Sequence, residues 1–272
     1  NGVSEVSNIL KSEDVLHTMS AFKQMGVKIE EVKDKIIIYG RGLNSLDKPK
    51  KQIYLGNSGT SSRLLLGLLA SQNFISDLSG DISLSSRPMG RIMDPLNLMG
   101  AKIESTDNKL PIRIYGQKLK PISYTVPVPS AQVKSGLILA ALNTNGISKI
   151  VEKDITRDHT EIMLESFGAD IDIKKENKYK QISITGKKEL ISRNIDVPSD
   201  LSSSAFFIVA CLINKNSKLT LKNINVNPSR NGILRALKKM KAKIDIKNKR
   251  YLNNEIIADL NIEYSKLEGV EL

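Results

Sequence analysis

The amino-acid sequence predicts an α/β fold assembled from repeats of one structural unit, because two kinds of segment recur at a spacing of roughly 70 residues. The first is a short strand pattern, which reads MGVKIE from Met25, MGAKIE from Met99, FGADID from Phe167 and MKAKID from Met240. The second opens an apolar helix, in GNSGTSSRLLLGLLA from Gly56, PSAQVKSGLILAAL from Pro129 and PSDLSSSAFFIVACL from Pro198. A single copy cannot bury its own apolar face, so we expect the copies to pack side by side.

Each copy is predicted to run helix, Gly or Asn break, short strand, second helix, then the Gly-Ala-x-Ile strand. The first copy is shorter, with a strand-like SEVSNIL followed by a helix that Ser12 caps and Gly26 ends. The charged, aperiodic stretch GKKELISRN, residues 186–194, predicts a crossing between two globules. We place a nearly complete first globule at 1–192 and part of a second at 193–272. Both ends of the sequence are expected to cut through a repeat.

Composition bounds the class of protein. At 272 residues and 40% hydrophobic content, the chain can bury a core as one large domain or two smaller ones. The longest apolar runs, 64–70 and 205–213, are too short to span a bilayer, and no secretory signal pattern opens the sequence. The single cysteine, Cys211, lies in an apolar run and cannot form an internal disulfide. These features predict a cytoplasmic protein that does not associate with membranes.

The charge balance favours small anionic ligands. Lys and Arg number 41 against 29 Asp and Glu, a formal net charge of +12. Nucleic-acid binding would call for a basic stripe with interleaved aromatic residues, whereas aromatic residues make up 4%, Trp is absent and the lysines are scattered. We therefore predict no nucleic-acid partner and a positive surface that attracts small anions.

Three loops place small, polar, capping residues directly before the apolar helices: 56–62, 129–132 and 198–200. The free N–H groups and the positive dipole end of a helix start hold anions, and glycines let an anion approach the backbone closely. One such loop alone would be read as an ordinary cap. Three in the same position of a repeat, with arginines close by, predict a cleft for a ligand with several negative charges.

Four arginines stand out in a chain that otherwise prefers lysine: Arg63, Arg87, Arg91 and Arg157. The planar guanidinium pairs bidentately with carboxylate or phosphate, which Lys cannot do. His159 lies between acidic residues, but one His is weak support for a metal site, and we interpret it as part of a surface helix start. The residues predict neither a metal nor a cofactor.

The ordered motifs resemble those of the 5-enolpyruvylshikimate-3-phosphate synthase family, in its class II bacterial branch, over the whole chain. The motifs are LGNSGTSSRLLLGLLA, GDISLSSRPMGRIMDPLNLMGAKI, VPSAQVKSGLILAALNTNG, ITRDHTEIMLESFGADI and VPSDLSSSAFFIVACL. The resemblance implies an enolpyruvyl transferase-like, inside-out α/β barrel of βαβαββ repeats, one nearly complete globule plus part of a second. In this family the active site lies in the cleft between two globules.

The implied reaction moves the enolpyruvyl group of phosphoenolpyruvate to the 5-hydroxyl of shikimate 3-phosphate and releases phosphate, without a metal or cofactor, on the route to chorismate and the aromatic amino acids. Matched by position, Gly59 and Arg87 would bind phosphoenolpyruvate. Shikimate 3-phosphate would contact Ser130 and Ala131, Gln132 would lie between the substrates, and Arg157 would bind the shikimate phosphate. The resemblance implies supporting roles for Asn57, Thr60 and Thr156. Glyphosate, slightly longer than phosphoenolpyruvate, would occupy the pocket at Gly59.

The resemblance also implies that parts of the machinery lie outside this sequence. A GDKSISHR-like segment is expected before Asn1, and the catalytic Asp and Glu are expected beyond Leu272. We therefore expect the 272-residue chain to be an inactive portion of a monomeric enzyme. Two alternatives remain: a non-catalytic anion-binding domain, and a relative of the enolpyruvyl transferase acting on UDP-N-acetylglucosamine, which uses a cysteine in an exposed loop.

Overall fold

The computed structural model describes residues 2–176 and 179–271. Its contacts divide the chain into two compact units, the first formed by Asn1–Thr156 with Leu164–Ile195 and the second by Arg157–Met163 with Asp196–Leu272. The chain crosses between the units at three points, after residues 156, 163 and 195. The last two crossings fall inside one helix and one short strand, which therefore contain residues of both units. They are α6 (His159–Ser166) and β12 (Ile195–Asp196).

The first unit contains the five helices α1 (Glu13–Gln24), α2 (Gly59–Ala70), α3 (Ile82–Ser86), α4 (Gly90–Leu98) and α5 (Ala131–Leu142). Its strands are β1 (Gly2–Ser7), β2 (Lys28–Val32), β3 (Lys35–Gly40), β4 (Ile53–Tyr54), β5 (Ile75–Ser79), β6 (Lys102–Ser105), β7 (Ile112–Tyr115), β8 (Ser123–Val126), β9 (Ile147–Glu152), β10 (Asp170–Glu176) and β11 (Tyr179–Thr185).

Sheet topology confirms the predicted repeat. The two complete copies form sheets in the orders β4-β5-β7-β6 and β8-β9-β11-β10, and the first copy contributes to the order β12-β1-β3-β2. In both complete copies the first two strands are parallel and the others antiparallel. A parallel pair needs a crossover connection, which α2 and α5 supply, whereas the last two strands close through a short turn. Each copy is thus a βαβαββ unit.

The crossover helices α2 and α5 pack against each other at the centre of the first unit. They run in parallel, since Gln132 Nε2 donates to Thr60 Oγ1 at 2.8 Å near one end and Asn143 Nδ2 donates to the Ser71 carbonyl at 2.9 Å near the other. A Cβ atom on Gly67 would lie 1.9 Å from the carbonyl oxygen of Gly136. The two backbones therefore touch where both helices carry glycine.

Leucine and isoleucine side chains from the helices and from the inward faces of the sheets form one core around this pair. Leu66, Leu69 and Leu137 are fully buried, as are Ile114 and Ile150 of the sheets. Since α5 is apolar around most of its circumference, it is buried on every side, as a hydrophobic helix of this kind requires.

The second unit holds one copy of the repeat, with helices α7 (Leu201–Ile213) and α8 (Gly232–Lys239). Its sheet has the order β13-β15-β14, formed by β13 (Lys218–Asn225), β14 (Lys243–Leu252) and β15 (Glu255–Glu263). Ile208 and Leu212 of α7 pack into a core against this sheet, while Phe206 on the opposite face is 79% exposed.

Several local predictions can be compared directly with the structure. Helix α1 begins after Ser12 as predicted, but the Ser12 side chain makes no capping hydrogen bond. Gly26 follows the end of α1 with a φ of 82°, the left-handed conformation that suits a glycine at a helix end. Cys211 is a buried free thiol. Within residues 2–176 and 179–271, no helix combines the length and apolarity needed to cross a membrane.

Candidate substrate-binding site

The loop from β4 to α2 is held in a tight, specific shape. Gly56 has a φ of 55°, and a Cβ atom on it would lie 2.6 Å from the His17 ring, so only glycine fits there. Ser58 caps α2 by accepting from the Ser61 N–H at 3.2 Å. Gly59 is the first residue of the helix, where free backbone N–H groups and the positive dipole end are available to an anion.

Arg87 is anchored beside this loop. It follows α3 in an extended conformation, as expected for a residue before proline. Its Nη2 donates to Ser83 Oγ at 3.3 Å and also to Asn57 Oδ1, while its Nη1 lies 3.4 Å from the Asn57 carbonyl oxygen. Asn57 in turn donates to Asp81 Oδ2 at 2.8 Å. The guanidinium therefore has a fixed position at the edge of the Gly59 loop.

Arg63 ties three segments of the site together. Its Nη1 donates to the Gly59 carbonyl at 2.8 Å and to Gln132 Oε1 at 3.1 Å, and its Nη2 donates to the Pro88 carbonyl at 3.3 Å. The sequence motifs alone do not predict this place for Arg63 in the site. Its position four residues after Gly59 is the available signal, because residues i and i+4 share one face of a helix.

The site carries an unbalanced positive charge. Burial lowers the pKa of Arg63, and the neighbouring cations Arg87 and Arg91 lower it further. Among the described residues, none of these three arginines forms an ion pair with a carboxylate. The Asp81 carboxylate, whose pKa is lowered by the hydrogen bond from the Leu84 N–H and also by Arg87, offsets part of this charge. Three arginines against one nearby carboxylate still leave an excess of positive charge, which favours an anionic ligand.

Gln132 links the start of α5 to this arginine cluster. Ser130 caps α5 by accepting from the Val133 N–H at 3.3 Å, and Ala131 is the first helical residue. Because Gln132 bonds both Thr60 and Arg63, the starts of α2 and α5 lie side by side. Two of the three predicted helix starts therefore meet in the first unit.

The remaining predicted residues lie at the crossing between the units. Thr156 is the last residue of the first segment of unit one, and its Oγ1 donates to Glu152. Arg157 is the first residue of the second unit. The third predicted helix start belongs to the second unit, where Asp200 caps α7 by accepting from the Ser203 N–H at 2.9 Å.

His159 lies in a polar cluster of the second unit. Its Nδ1 lies 2.5 Å from Glu255 Oε1, and Glu255 Oε2 also accepts from Asn225 at 3.1 Å and Asn227 at 3.2 Å. Burial opposes the ionisation of Glu255, but these hydrogen bonds outweigh it and the pKa of the carboxyl is lowered. Among the described residues, no group of three His, Cys, Asp or Glu side chains is placed to hold a metal ion.

Repeated βαβαββ units, with two crossover helices that start beside a cluster of arginines, define a protein of the enolpyruvyl transferase fold class. The sequence model of the family EPSP synthase (3-phosphoshikimate 1-carboxyvinyltransferase) matches residues 1–271. The chain belongs to the EPSP synthase family.

Similar proteins agree with this assignment. The chain is 49% identical over 273 residues to a 3-phosphoshikimate 1-carboxyvinyltransferase of Vesicomyosocius okutanii, covering 100% of this chain and 62% of that protein. It is 46% identical to one of Streptococcus mutans, of which it covers 63%. A solved EPSP synthase from Acinetobacter baumannii superposes with a TM-score of 0.91 at 44% identity, covering 100% of this chain and 61% of the other. The chain thus spans about 62% of the length of its first curated relative.

Proposed function

We propose that this chain belongs to a 3-phosphoshikimate 1-carboxyvinyltransferase, which transfers the enolpyruvyl group of phosphoenolpyruvate to shikimate 3-phosphate in chorismate biosynthesis. The observation that carries the proposal is the junction of Gly59, Arg63, Arg87 and Gln132, where an excess of positive charge lies at the start of a helix. Supporting it are relatives that bear this enzyme's name at 46% to 49% identity over the whole chain.

In this proposal the Gly59 loop and Arg87 bind phosphoenolpyruvate. The Arg87 guanidinium supplies a planar fork for its carboxylate or phosphate, and the backbone at Gly59 supplies close approach. Phosphoenolpyruvate loses phosphate during the transfer, so groups that stabilise negative charge on the phosphate favour its departure. Asn57 holds Arg87 in place through its amide oxygen, and Thr60 holds Gln132.

Shikimate 3-phosphate is proposed to lie at the start of α5. Ser130, Ala131 and Gln132 occupy the Ncap and first helical positions, where a phosphate finds backbone N–H donors and the positive dipole end. Gln132 would touch both substrates, because its side chain reaches from α5 to α2. The role of Arg157 in binding the same phosphate remains a prediction from the resemblance. The domain division into 1–192 and 193–272 remains a prediction from the charged stretch 186–194. We also propose a monomeric, cytoplasmic enzyme.

The rival activity on UDP-N-acetylglucosamine requires an exposed reactive cysteine. Cys211 instead lies inside α7, where its Sγ is 3.5 Å from the Ile262 carbonyl oxygen and burial raises the pKa of the thiol. A thiol with a raised pKa is a poor nucleophile. The other alternative, a non-catalytic anion-binding domain, is distinguished from the proposed enzyme by the following experiment.

The experiment is a chimera in which residues 1–272 replace the matching segment of the Acinetobacter baumannii protein, with phosphate release measured in the presence of both substrates. The proposal expects turnover that depends on both phosphoenolpyruvate and shikimate 3-phosphate. Arg87→Lys should raise the KM for phosphoenolpyruvate about tenfold or more, because Lys cannot reproduce the bidentate contact.

The matched control is Arg113→Lys. Arg113 pairs with Asp77 on the sheet at 2.7 Å and is more than half exposed, so the KM for phosphoenolpyruvate should stay unchanged. A folded chimera that binds phosphate but gives no turnover would favour the non-catalytic alternative. Equal effects of the two substitutions would count against the role given to Arg87.

A further inference from the structure

Lys134 is a buried charge that the proposed function leaves unused. It lies in the SAQVKS motif on α5, and its side chain is fully buried. Its Nζ donates to Glu152 Oε2 at 3.1 Å, and Glu152 is 2% exposed. A buried ion pair is often no more stable than a well-packed apolar pair of the same volume. Stability alone therefore gives little reason for charges at these two positions.

Lys134, one member of the pair, lies next to the helical turn that is proposed to bind phosphate. The Lys134 N–H donates to the Ser130 carbonyl at 3.1 Å, which places Lys134 one helical turn beyond the cap. Residues four apart on a helix have their Cβ atoms about 5–6 Å apart. A constraint on the Lys134 side chain therefore acts on the turn that contains Ser130, Ala131 and Gln132.

Glu152, the other member of the pair, contacts the segment that follows β9. Glu152 is the last residue of that strand, and its Oε1 accepts a hydrogen bond from Thr156 Oγ1. Both oxygens of the carboxylate are therefore engaged, one by α5 and one by the residue that precedes Arg157 in the sequence. In the sheet, Glu152 is paired with Val126 of β8, the strand that leads into α5.

We propose that Lys134 is a positioning residue, which acts through Glu152 to fix the first turn of α5 relative to Thr156. The inference rests on the proposed function. It adds that the spacing of the donors offered to the phosphate of shikimate 3-phosphate depends on this buried pair. Because Lys134 and Glu152 are both buried, their proposed effect is one of orientation.

The test uses the same chimera and the paired substitution Lys134→Met with Glu152→Leu. Removing both charges together avoids leaving either member of this pair buried without the other, so the melting temperature should fall less than in either single variant. The KM for shikimate 3-phosphate should rise about tenfold, since small misplacements of binding groups are costly. The KM for phosphoenolpyruvate should rise less than the KM for shikimate 3-phosphate, because Gln132 is the one residue of this turn that also contacts Thr60 and Arg63. The value of kcat should stay within about twofold.

Thr156 supplies a second, milder test. Thr156→Val removes the hydroxyl at nearly the same shape and should raise the KM for shikimate 3-phosphate, whereas Thr156→Ser keeps the hydroxyl and should restore it. Added to the paired Lys134 and Glu152 substitution, Thr156→Val should have no further effect, because residues that act through one network are not additive.

Each outcome is decisive. A stable paired variant with an unchanged KM for shikimate 3-phosphate would overturn the inference, and so would a parallel rise in the KM for both substrates. Should the paired variant fail to fold, equal behaviour of Thr156→Val and Thr156→Ser would overturn it. An unmodified chimera without turnover would reject the proposed function, and this inference with it. An active chimera that is insensitive to these changes would reject only the inference.

Discussion

Replacing Gly59 by alanine would perturb the site at its most crowded point. A Cβ atom there would lie 2.9 Å from Arg63 Nη1 and 3.1 Å from Arg87 Nη1, whereas ordinary contact begins at 3.4 Å. Both guanidinium groups would have to retreat by a few tenths of an ångström. The added methyl would therefore first meet the arginines that are proposed to hold the ligand.

Gly59→Ala should weaken substrate binding and leave the stability of the fold nearly unchanged. Gly59 is helical, so alanine suits its backbone, and the atoms it meets are the ends of flexible side chains. The free energy of unfolding should therefore change by no more than about 1 kcal/mol. Displaced contacts in a tight pocket are worth about 1–3 kcal/mol, so the KM for phosphoenolpyruvate should rise roughly tenfold to 200-fold. Glyphosate, the longer ligand, should lose more affinity than phosphoenolpyruvate.

The assay is steady-state phosphate release by the chimera, with glyphosate inhibition measured alongside. Gly90→Ala is the matched control, because Gly90 also begins a helix but a Cβ there would find its nearest neighbour, Asn108 Nδ2, at 3.5 Å. This control should leave both affinities unchanged. An equal KM for phosphoenolpyruvate in the two alanine variants would refute the placement of Gly59 in the pocket, and so would an equal weakening of both ligands by Gly59→Ala.

Three further predictions concern stability and use thermal or denaturant unfolding of the chain. The pKa of Glu255 is lowered, so its interactions stabilise the fold above its ordinary pKa of 4.5 and are lost as the pH falls below that value. Glu255→Gln should therefore reduce the drop in melting temperature between pH 6 and acid pH. An unchanged drop would contradict this prediction. Leu66→Ala should cost about 2–5 kcal/mol, whereas Leu98→Ala, at a position 69% exposed, should cost less than about 0.5 kcal/mol; similar costs would refute the assigned core. Asp81→Ala should cost about 1 kcal/mol, because it removes the α3 cap that accepts from the Leu84 N–H at 2.7 Å, and no loss would show that this cap is dispensable.

The repeat and its elements could be predicted because their causes are local in the sequence. Apolar periodicity, small capping residues and glycine stops each act within a few residues, and they placed α2, α5 and α7 correctly. The capping side chains of Ser58, Ser130 and Asp200 follow from the same rule. The Ser12 side chain is an exception, since a suitable residue at the Ncap position does not ensure the hydrogen bond.

Contacts that join distant segments could not be predicted in this way. Arg63 reaches Gln132 across 69 positions, and Lys134 reaches Glu152 across 18. A lysine in an apolar helix gives no sign of its partner until the helix is packed against a strand end. The motifs therefore identified which segments form the site, whereas the structure shows which atoms hold them together.

The contact of Gly67 with Gly136 limits which substitutions this fold can accept during evolution. Two backbones that already touch leave no room for even one added carbon, since a Cβ on Gly136 would also lie 2.8 Å from the Arg63 carbonyl oxygen. At 1.5 Å per residue, this crossing lies about 12 Å along α2 from Gly59. Sequence drift at the crossing would wedge the helices apart and widen the gap between the two proposed substrate positions. The distance between the two proposed substrate positions thus depends on Gly67 and Gly136, which lie away from both of them. Selection at these two positions would act to keep the side chain absent.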